Sequence, residues 1–133
     1  MSATILIVDD DAILAGLLQL TLQLEGYDVD VAENGQIGLD AVAGRRFDLI
    51  LLDLLMPDVD GIKFLRLLAD TAGHRPPVMI VSSAIEEHLT DRLRAFGVVD
   101  VARKPVEPAD LVERVGRALA QDAEAVSEPA ERD

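Results

Sequence analysis

The sequence contains no cysteine and no tryptophan, and aromatic residues make up only 3% of its 133 positions. The lack of cysteine excludes disulfide bonds and thiolate metal sites. The scarcity of rings argues against a surface on which nucleic-acid bases stack. The chain also lacks an apolar stretch long enough to span a bilayer, and its N-terminus has no basic region followed by a long apolar run. We therefore expect a cytoplasmic protein without membrane contact.

Basic residues are outnumbered, since 12 Lys and Arg stand against 25 Asp and Glu, for a formal net charge of −13. A surface of this sign makes nucleic acid and anionic membranes poor partners, so we predict no direct nucleic-acid contact from this domain. The length allows one domain with a short tail, and we place the domain at residues 1–121. Residues 122–133 are acidic and have no apolar period, so they predict a disordered tail or the start of a linker.

Five apolar or alternating segments predict β-strands, and each of them precedes a helical pattern. The strands are predicted at residues 4–8, 27–32, 47–52, 78–81 and 98–102. The helices are predicted at residues 12–25, 34–44, 61–72, 86–96 and 108–121. Strands and helices that alternate through short connections imply an α/β fold, with a parallel sheet covered by helices on both faces.

Isolated polar residues stand at the ends of four of these strands. Asp9 and Asp10 follow the first strand, Asp53 the third, Ser82 the fourth and Lys104 the fifth. The carboxyl ends of parallel strands share one edge of the sheet, which is where open α/β sheets bind ligands. Three carboxylates brought together there repel one another unless a cation or protons offset their charge. Because only oxygen ligands are available, Mg²⁺ is the natural candidate.

The charges suggest a division of roles at this edge. Asp53 is predicted to accept a phosphoryl group and to give its other oxygen to Mg²⁺, which Asp10 and Asp9 hold, Asp9 directly or through water. Lys104 would neutralise the oxygens of the group being transferred. Ser82 would donate its hydroxyl to a phosphoryl oxygen afterwards, and a local rearrangement is the expected consequence of phosphorylation.

The chain resembles the receiver domains of two-component response regulators. The resemblance covers about residues 4–121 and rests on four motifs at strand ends, within residues 5–11, 53–61, 81–84 and 104–105. It implies a flavodoxin-like (βα)5 doubly wound sheet with strand order 2-1-3-4-5. It also implies phosphoryl transfer to Asp53 from a histidine kinase or a histidine phosphotransfer protein. The backbone carbonyl of Leu55 would contact the metal, and the Lys104–Pro105 bond would be cis.

The sequence departs from the family pattern at two positions near the lysine. Val101 stands where the family has an aromatic switch residue, and Val106 replaces the usual phenylalanine. A valine cannot swing a ring between buried and exposed positions. Signalling through such a ring is therefore not expected, and the downstream protein effector and any homodimer contact are left open.

The first helix carries more leucine than one core face needs. We expect Leu14, Leu17, Leu18 and Leu22 to face the core. This leaves Ile13, Leu20 and Leu24 near the outer side, where they would form a docking surface for the kinase, as the first helix commonly does in the family.

Two other functions are open from the residues. A phosphatase of the haloacid dehalogenase kind could use Asp9-Asp10-Asp11 as its nucleophile motif. That family requires an acidic pair after the lysine, whereas the candidates Asp110 and Glu113 both lie inside the last helix. It also leaves Asp53 without a role. The second alternative is a degenerate receiver that acts as a phosphorylation-independent binding module. In the leading prediction the chain is not an enzyme, since it promotes only its own phosphorylation and dephosphorylation.

Overall fold

The computed structural model of the chain describes residues 3–56, 60–70, 75–83 and 90–132, with the backbone alone for residues 90 and 121–132. The described strands are β1 Thr4–Val8, β2 Asp28–Ala32, β3 Leu49–Leu52, β4 Val78–Ser82 and β5 Val98–Arg103. The described helices are α1 Ala12–Leu24, α2 Gly35–Gly44, α3 Gly61–Ala69, α4 Thr90–Ala95 and α5 Pro108–Arg132.

The five strands form one parallel sheet in the order β2-β1-β3-β4-β5, which confirms the predicted flavodoxin-like order. The central strands are apolar on both faces: every residue of β3 and β4 is buried. Continuous apolar runs of this kind are typical of parallel strands that helices cover from both sides. The continuous apolar runs in the sequence therefore predict the arrangement of layers as well as the positions of the strands.

Alternate residues of each strand point into two separate cores. Leu6 and Val8 of β1 pack in a cluster with residues of α2, α3 and α4. Ile5 and Ile7 pack on the other face with residues of α1 and α5. The sheet is thus a middle layer between two groups of helices, and the carboxyl ends of its strands form a common edge.

Three helices begin at polar residues whose side chains accept hydrogen bonds from the first turn. Asp11 caps α1, Asn34 caps α2 and Asp60 caps α3, each through an acceptor oxygen to the backbone N–H three residues on. Such caps satisfy N–H groups that the helix itself leaves without partners. Asp11 is therefore a capping residue, whereas the two residues before it, Asp9 and Asp10, are available for another role.

The last helix differs from its predicted end. The sequence pattern predicts a helix that stops near Gln121, followed by a disordered tail or the start of a linker, whereas the backbone of α5 continues to Arg132. The tail is rich in Ala and Glu, which are good helix formers, and the loss of an apolar period does not by itself end a helix. The assignment of residues 122–133 to a disordered tail or the start of a linker stays a prediction.

The bounds of the other elements agree with the predictions to within a few residues where they are described. The predicted end of α3, at residues 71–72, lies outside the described residues. The predicted start of α4, at residues 86–89, also lies outside them. Among the helices that the structure describes, none is long and apolar enough to cross a membrane.

Candidate functional site

The register of the sheet brings the predicted site residues together. Val8 pairs with Leu52 across β1 and β3, so the residues that follow them, Asp9 and Asp53, leave the sheet side by side. Ser82 is the last residue of β4 and pairs with Arg103, directly before Lys104. The four polar side chains therefore meet at the carboxyl edge, as the strand-end pattern predicts.

Asp53 is only 6% exposed, and both of its carboxylate oxygens are engaged. Oδ1 accepts hydrogen bonds from the Ser82 hydroxyl at 2.7 Å and from the Leu55 backbone N–H at 3.1 Å. Oδ2 lies 3.3 Å from the ammonium of Lys104. These three donors fix the orientation of the Asp53 carboxylate at the carboxyl edge of the sheet.

Lys104 holds two carboxylates at once. Its Nζ lies 2.9 Å from Oδ2 of Asp9, in addition to its contact with Asp53. Its backbone N–H donates to the carbonyl of Ser82, and the peptide bond to Pro105 is cis, as the resemblance implies. The lysine is thereby fixed at the point where β5 ends.

Asp9 and Lys104 show how burial and charge compete in this site. Burial raises the pKa of Asp9 above its ordinary value, although the hydrogen bond from the Asp11 N–H and the contact with Lys104 act in the opposite direction. Burial alone would lower the pKa of Lys104, but the carboxylates of Asp9 and Asp53 together outweigh it, and the pKa of Lys104 is raised. For Asp9, burial thus outweighs the hydrogen bond and the ammonium that favour its charged form.

The carboxylates of Asp9, Asp10 and Asp53 lie close enough to share a cation. One oxygen of each lies within 4.8 Å of the others, with Asp9 and Asp53 buried and Asp10 exposed. The set offers oxygen ligands only and opens to solvent on the Asp10 side, so waters could complete a coordination shell. These are the properties that Mg²⁺ requires, and the site fits that ion.

The other predicted residues fall in different places. Val101 is half-buried against the core shared with α2 to α4, while Val106 packs on the opposite core. Parts of two motifs, residues 57–59 and 84, lie outside the described residues. Ile13, Leu20 and Leu24 are exposed on α1 as expected, but the assignment of Leu17 to the core was wrong, since its side chain is 58% exposed.

Two contacts of the site could not be predicted from the sequence. The Leu55 N–H donates to the Asp53 carboxylate, whereas the resemblance implies a role only for the Leu55 carbonyl. Lys104 contacts Asp9 more closely than it contacts Asp53. Neither contact leaves a sequence signal, because the first involves backbone and the second depends on how a long side chain settles between two similar acceptors.

Comparisons of this chain with a family model and with known proteins agree on one family. The family model described as "Response regulator receiver domain" matches residues 5–116. The chain is 39% identical over 131 residues to the DNA-binding response regulator MtrA of Mycobacterium tuberculosis, covering 98% of this chain and 55% of that protein. It is 36% identical over 120 residues to the uncharacterized transcriptional regulatory protein YkoG of Bacillus subtilis, covering 89% of this chain and 51% of that protein. The chain thus spans about half the length of these curated relatives.

Solved structures show the same architecture. A CheY-like receiver domain protein from Methanospirillum hungatei superposes with a TM-score of 0.86 at 26% identity, covering 94% of this chain and 99% of that one. The chemotaxis protein CheY4 of Vibrio cholerae superposes with a TM-score of 0.83 at 26% identity, covering 89% and 99%. With the family match, the sheet order and the polar carboxyl edge all in agreement, the chain belongs to the response regulator receiver domains of two-component signalling systems.

Proposed function

We propose that Asp53 accepts a phosphoryl group from a phosphohistidine and that this modification switches protein contacts. The observation that carries the proposal is the arrangement of donors around its carboxylate. Ser82 and Lys104 already contact Asp53, and both can donate to the oxygens of a phosphoryl group attached there.

The transfer requires little covalent chemistry from the protein. A carboxylate oxygen of Asp53 forms a bond to phosphorus as the P–N bond of the phosphohistidine breaks, and the imidazole of the donor leaves with its electron pair. Positioning and charge stabilisation therefore account for most of the catalysis. The ammonium of Lys104 lies on the Oδ2 side of the acceptor, where it can stabilise negative charge on the phosphoryl oxygens.

Asp9, Asp10 and Asp53 are the residues that would hold Mg²⁺, with the Leu55 carbonyl as a further ligand. When bound, the ion supplies positive charge beside the transferred group. A cation is supported here by geometry, since one oxygen of each of the three carboxylates lies within 4.8 Å of the others and their charges repel. Asp10 is exposed, so it can approach an ion from the solvent side.

The exposed side of α1 is the proposed docking surface for the histidine kinase or histidine phosphotransfer protein. Ile13, Leu20 and Leu24 are 80%, 54% and 77% exposed, and α1 begins directly after the site carboxylates. Docking on this helix would bring the phosphohistidine to the carboxyl edge. A Leu20→Glu variant should then slow transfer from its kinase while leaving phosphorylation by a small donor unchanged.

The output is proposed to be a contact with a downstream protein in the cytoplasm, with homodimerisation as one form it could take. The relatives named as DNA-binding or transcriptional regulators are about twice as long as the matched region. For this domain itself, a net charge of −13 argues against direct contact with nucleic acid.

Intact mass after incubation with acetyl phosphate tests the acceptor directly. We expect one phosphoryl adduct in Mg²⁺, none in EDTA and none for Asp53→Asn. Asp40→Asn is a matched control, because Asp40 is an exposed carboxylate on α2, remote in sequence from the site, that accepts a hydrogen bond from Gln36. An adduct on Asp53→Asn would contradict the assignment. A chain that binds Mg²⁺ but forms no adduct would instead support the phosphorylation-independent binding module.

A further inference from the structure

The connection that follows β3 alternates between buried and exposed side chains. Leu54 and Met56 are 8% and 7% exposed, whereas Leu55 between them is 57% exposed. Connecting segments usually run over the surface, so two buried apolar side chains directly after the strand need a reason. Both belong to the buried cluster beneath α2 to α4, which also contains Phe64 and Leu65. The core therefore anchors the chain on both sides of Leu55.

Leu54 is held by its backbone as well as by its side chain. Its carbonyl accepts a hydrogen bond from the Gly61 N–H at 3.2 Å. A Cβ on Gly61 would lie 2.6 Å from both Cα and Cδ2 of Leu54, so the start of α3 packs directly on this residue. These contacts fix the peptide unit between Leu54 and Leu55. The N–H of that unit is the group that donates to Oδ1 of Asp53 at 3.1 Å.

Met56 stands in the same relation to the other peptide unit of Leu55. The unit between Leu55 and Met56 carries the Leu55 carbonyl, which is the proposed further ligand of Mg²⁺. The Leu55 side chain lies largely in solvent, so packing of that side chain gives its backbone little support. The buried side chain of Met56 is the next anchor along the chain, and it restrains the carbonyl from the C-terminal side.

We propose that Leu54 and Met56 are positioning residues for the phosphoryl-transfer site. Leu54 keeps the Leu55 N–H on the Asp53 carboxylate, and Met56 keeps the Leu55 carbonyl available to the ion. Each acts through the backbone of Leu55 rather than on the reacting atoms. The inference rests on the proposed function, because it names residues that support the same site. It predicts two separable defects, since the N–H and the carbonyl belong to different peptide units.

Hydrogen exchange of the Leu55 amide, measured by NMR in EDTA, tests the role of Leu54 without metal or phosphoryl donor. Leu54→Ala should release this N–H from Asp53, and we expect its exchange to accelerate at least about tenfold relative to the amides of β3. Leu68→Ala is the matched control, because Leu68 is buried in the same cluster but lies on α3. It should leave this ratio of exchange rates unchanged. Leu54→Val removes less volume and should shift the ratio in the same direction if Leu54→Ala does not fold.

The dissociation constant of Mg²⁺, measured by titration calorimetry, tests the role of Met56. Met56→Ala should raise it about tenfold, because a residue that supports a metal ligand is removed. Met56→Leu keeps a buried apolar side chain of similar volume and should restore the constant to within about twofold. Met79→Ala is the matched control, since Met79 is fully buried on β4 in the opposite core. It should lower stability without changing the constant.

The rate of phosphorylation by acetyl phosphate separates the two roles. Met56→Ala should need more Mg²⁺ to reach its half-maximal rate, and it should recover most of the rate as the Mg²⁺ concentration is raised. Leu54→Ala should instead have a maximal rate about tenfold lower, since the Asp53 carboxylate is no longer held in one orientation. Its requirement for Mg²⁺ should change little.

Equal changes in Leu68→Ala or Met79→Ala would overturn the proposal, because the effects would then follow the stability of the core. Unchanged exchange of the Leu55 amide in Leu54→Ala would overturn the role of Leu54, and an unchanged Mg²⁺ constant in Met56→Ala would overturn that of Met56. A failure of the proposed function has a different signature. The unmodified chain would then form no phosphoryl adduct, whereas exchange of the Leu55 amide would still support or overturn the role of Leu54.

Discussion

The ammonium of Lys104 lies 2.9 Å from Asp9 and 3.3 Å from Asp53, so it is closer to Asp9 than to the proposed phosphoryl acceptor. In the unphosphorylated chain the lysine thus bridges the ends of β1 and β3 from its place after β5. Any new negative charge on Asp53 would compete with Asp9 for it. The position of Lys104 is therefore sensitive to the state of Asp53.

Removing the lysine should destabilise the domain. Lys104→Gln leaves Asp9 and Asp53 without their shared cation, and we expect the free energy of unfolding at pH 7 in EDTA to fall by about 1–3 kcal/mol. Lys63→Gln, at an exposed position of α3, should change it by less than about 0.5 kcal/mol. Urea unfolding of the two variants measures the difference, and equal effects would show that the bridge contributes nothing to stability.

Removing the charge of Asp9 should have the opposite effect, in a pH-dependent way. Burial raises the pKa of Asp9 above the ordinary value of 3.8. Between pH 3.8 and the raised value the folded chain retains a proton that the unfolded chain has lost, so ionisation of Asp9 reduces stability as the pH rises through this window. Asp9→Asn should therefore be more stable than the unmodified chain at pH 7 in EDTA.

The same linkage sets the test of that prediction. The advantage of Asp9→Asn should disappear as the pH falls toward 3, where the carboxyl is protonated in both states. Urea unfolding at several pH values follows it, with Asp40→Asn as the control for an exposed carboxylate. A stability difference that is independent of pH would mean that the charge of Asp9 is not its cause.

Mg²⁺ should stabilise the folded chain if the three carboxylates hold it. At a free concentration ten times the dissociation constant, the expected gain in the free energy of unfolding is about 1.4 kcal/mol. Asp10→Asn and Asp53→Asn should lose most of this gain, while Asp70→Asn, an exposed residue at the end of α3, should keep it. Thermal unfolding with and without Mg²⁺ measures the effect, and a full gain in Asp10→Asn would remove that residue from the site.

Gly61 should be intolerant of any side chain. A Cβ there would lie 2.6 Å from the Cα of Leu54, in the backbone that directly follows the acceptor. Gly61→Ala should destabilise the domain by about 1–3 kcal/mol and slow phosphorylation by acetyl phosphate, since the β3–α3 connection must shift. Gly116→Ala provides the comparison, because its added methyl meets nothing within 4 Å and should stabilise α5.

The strand-end pattern predicted most of the site because parallel register is a strong constraint. Because Asp9, Asp53 and Lys104 each follow a buried strand, parallel pairing brings them to the same edge of the sheet. The misplacement of Leu17 has the opposite origin: α1 contains no charged residue to mark its outer face, so its leucines could not be divided correctly. The end of α5 was missed because helix propensity continued after the apolar period had stopped.

Val101 and Val106 lie on either side of Lys104 and are anchored in different cores, one beneath α2 to α4 and the other beneath α1 and α5. We expect a displacement of Lys104 to shift both valines, and with them their contacts in the two cores. A rearrangement that begins at Asp53 would then affect both faces of the sheet without the rotation of an aromatic ring.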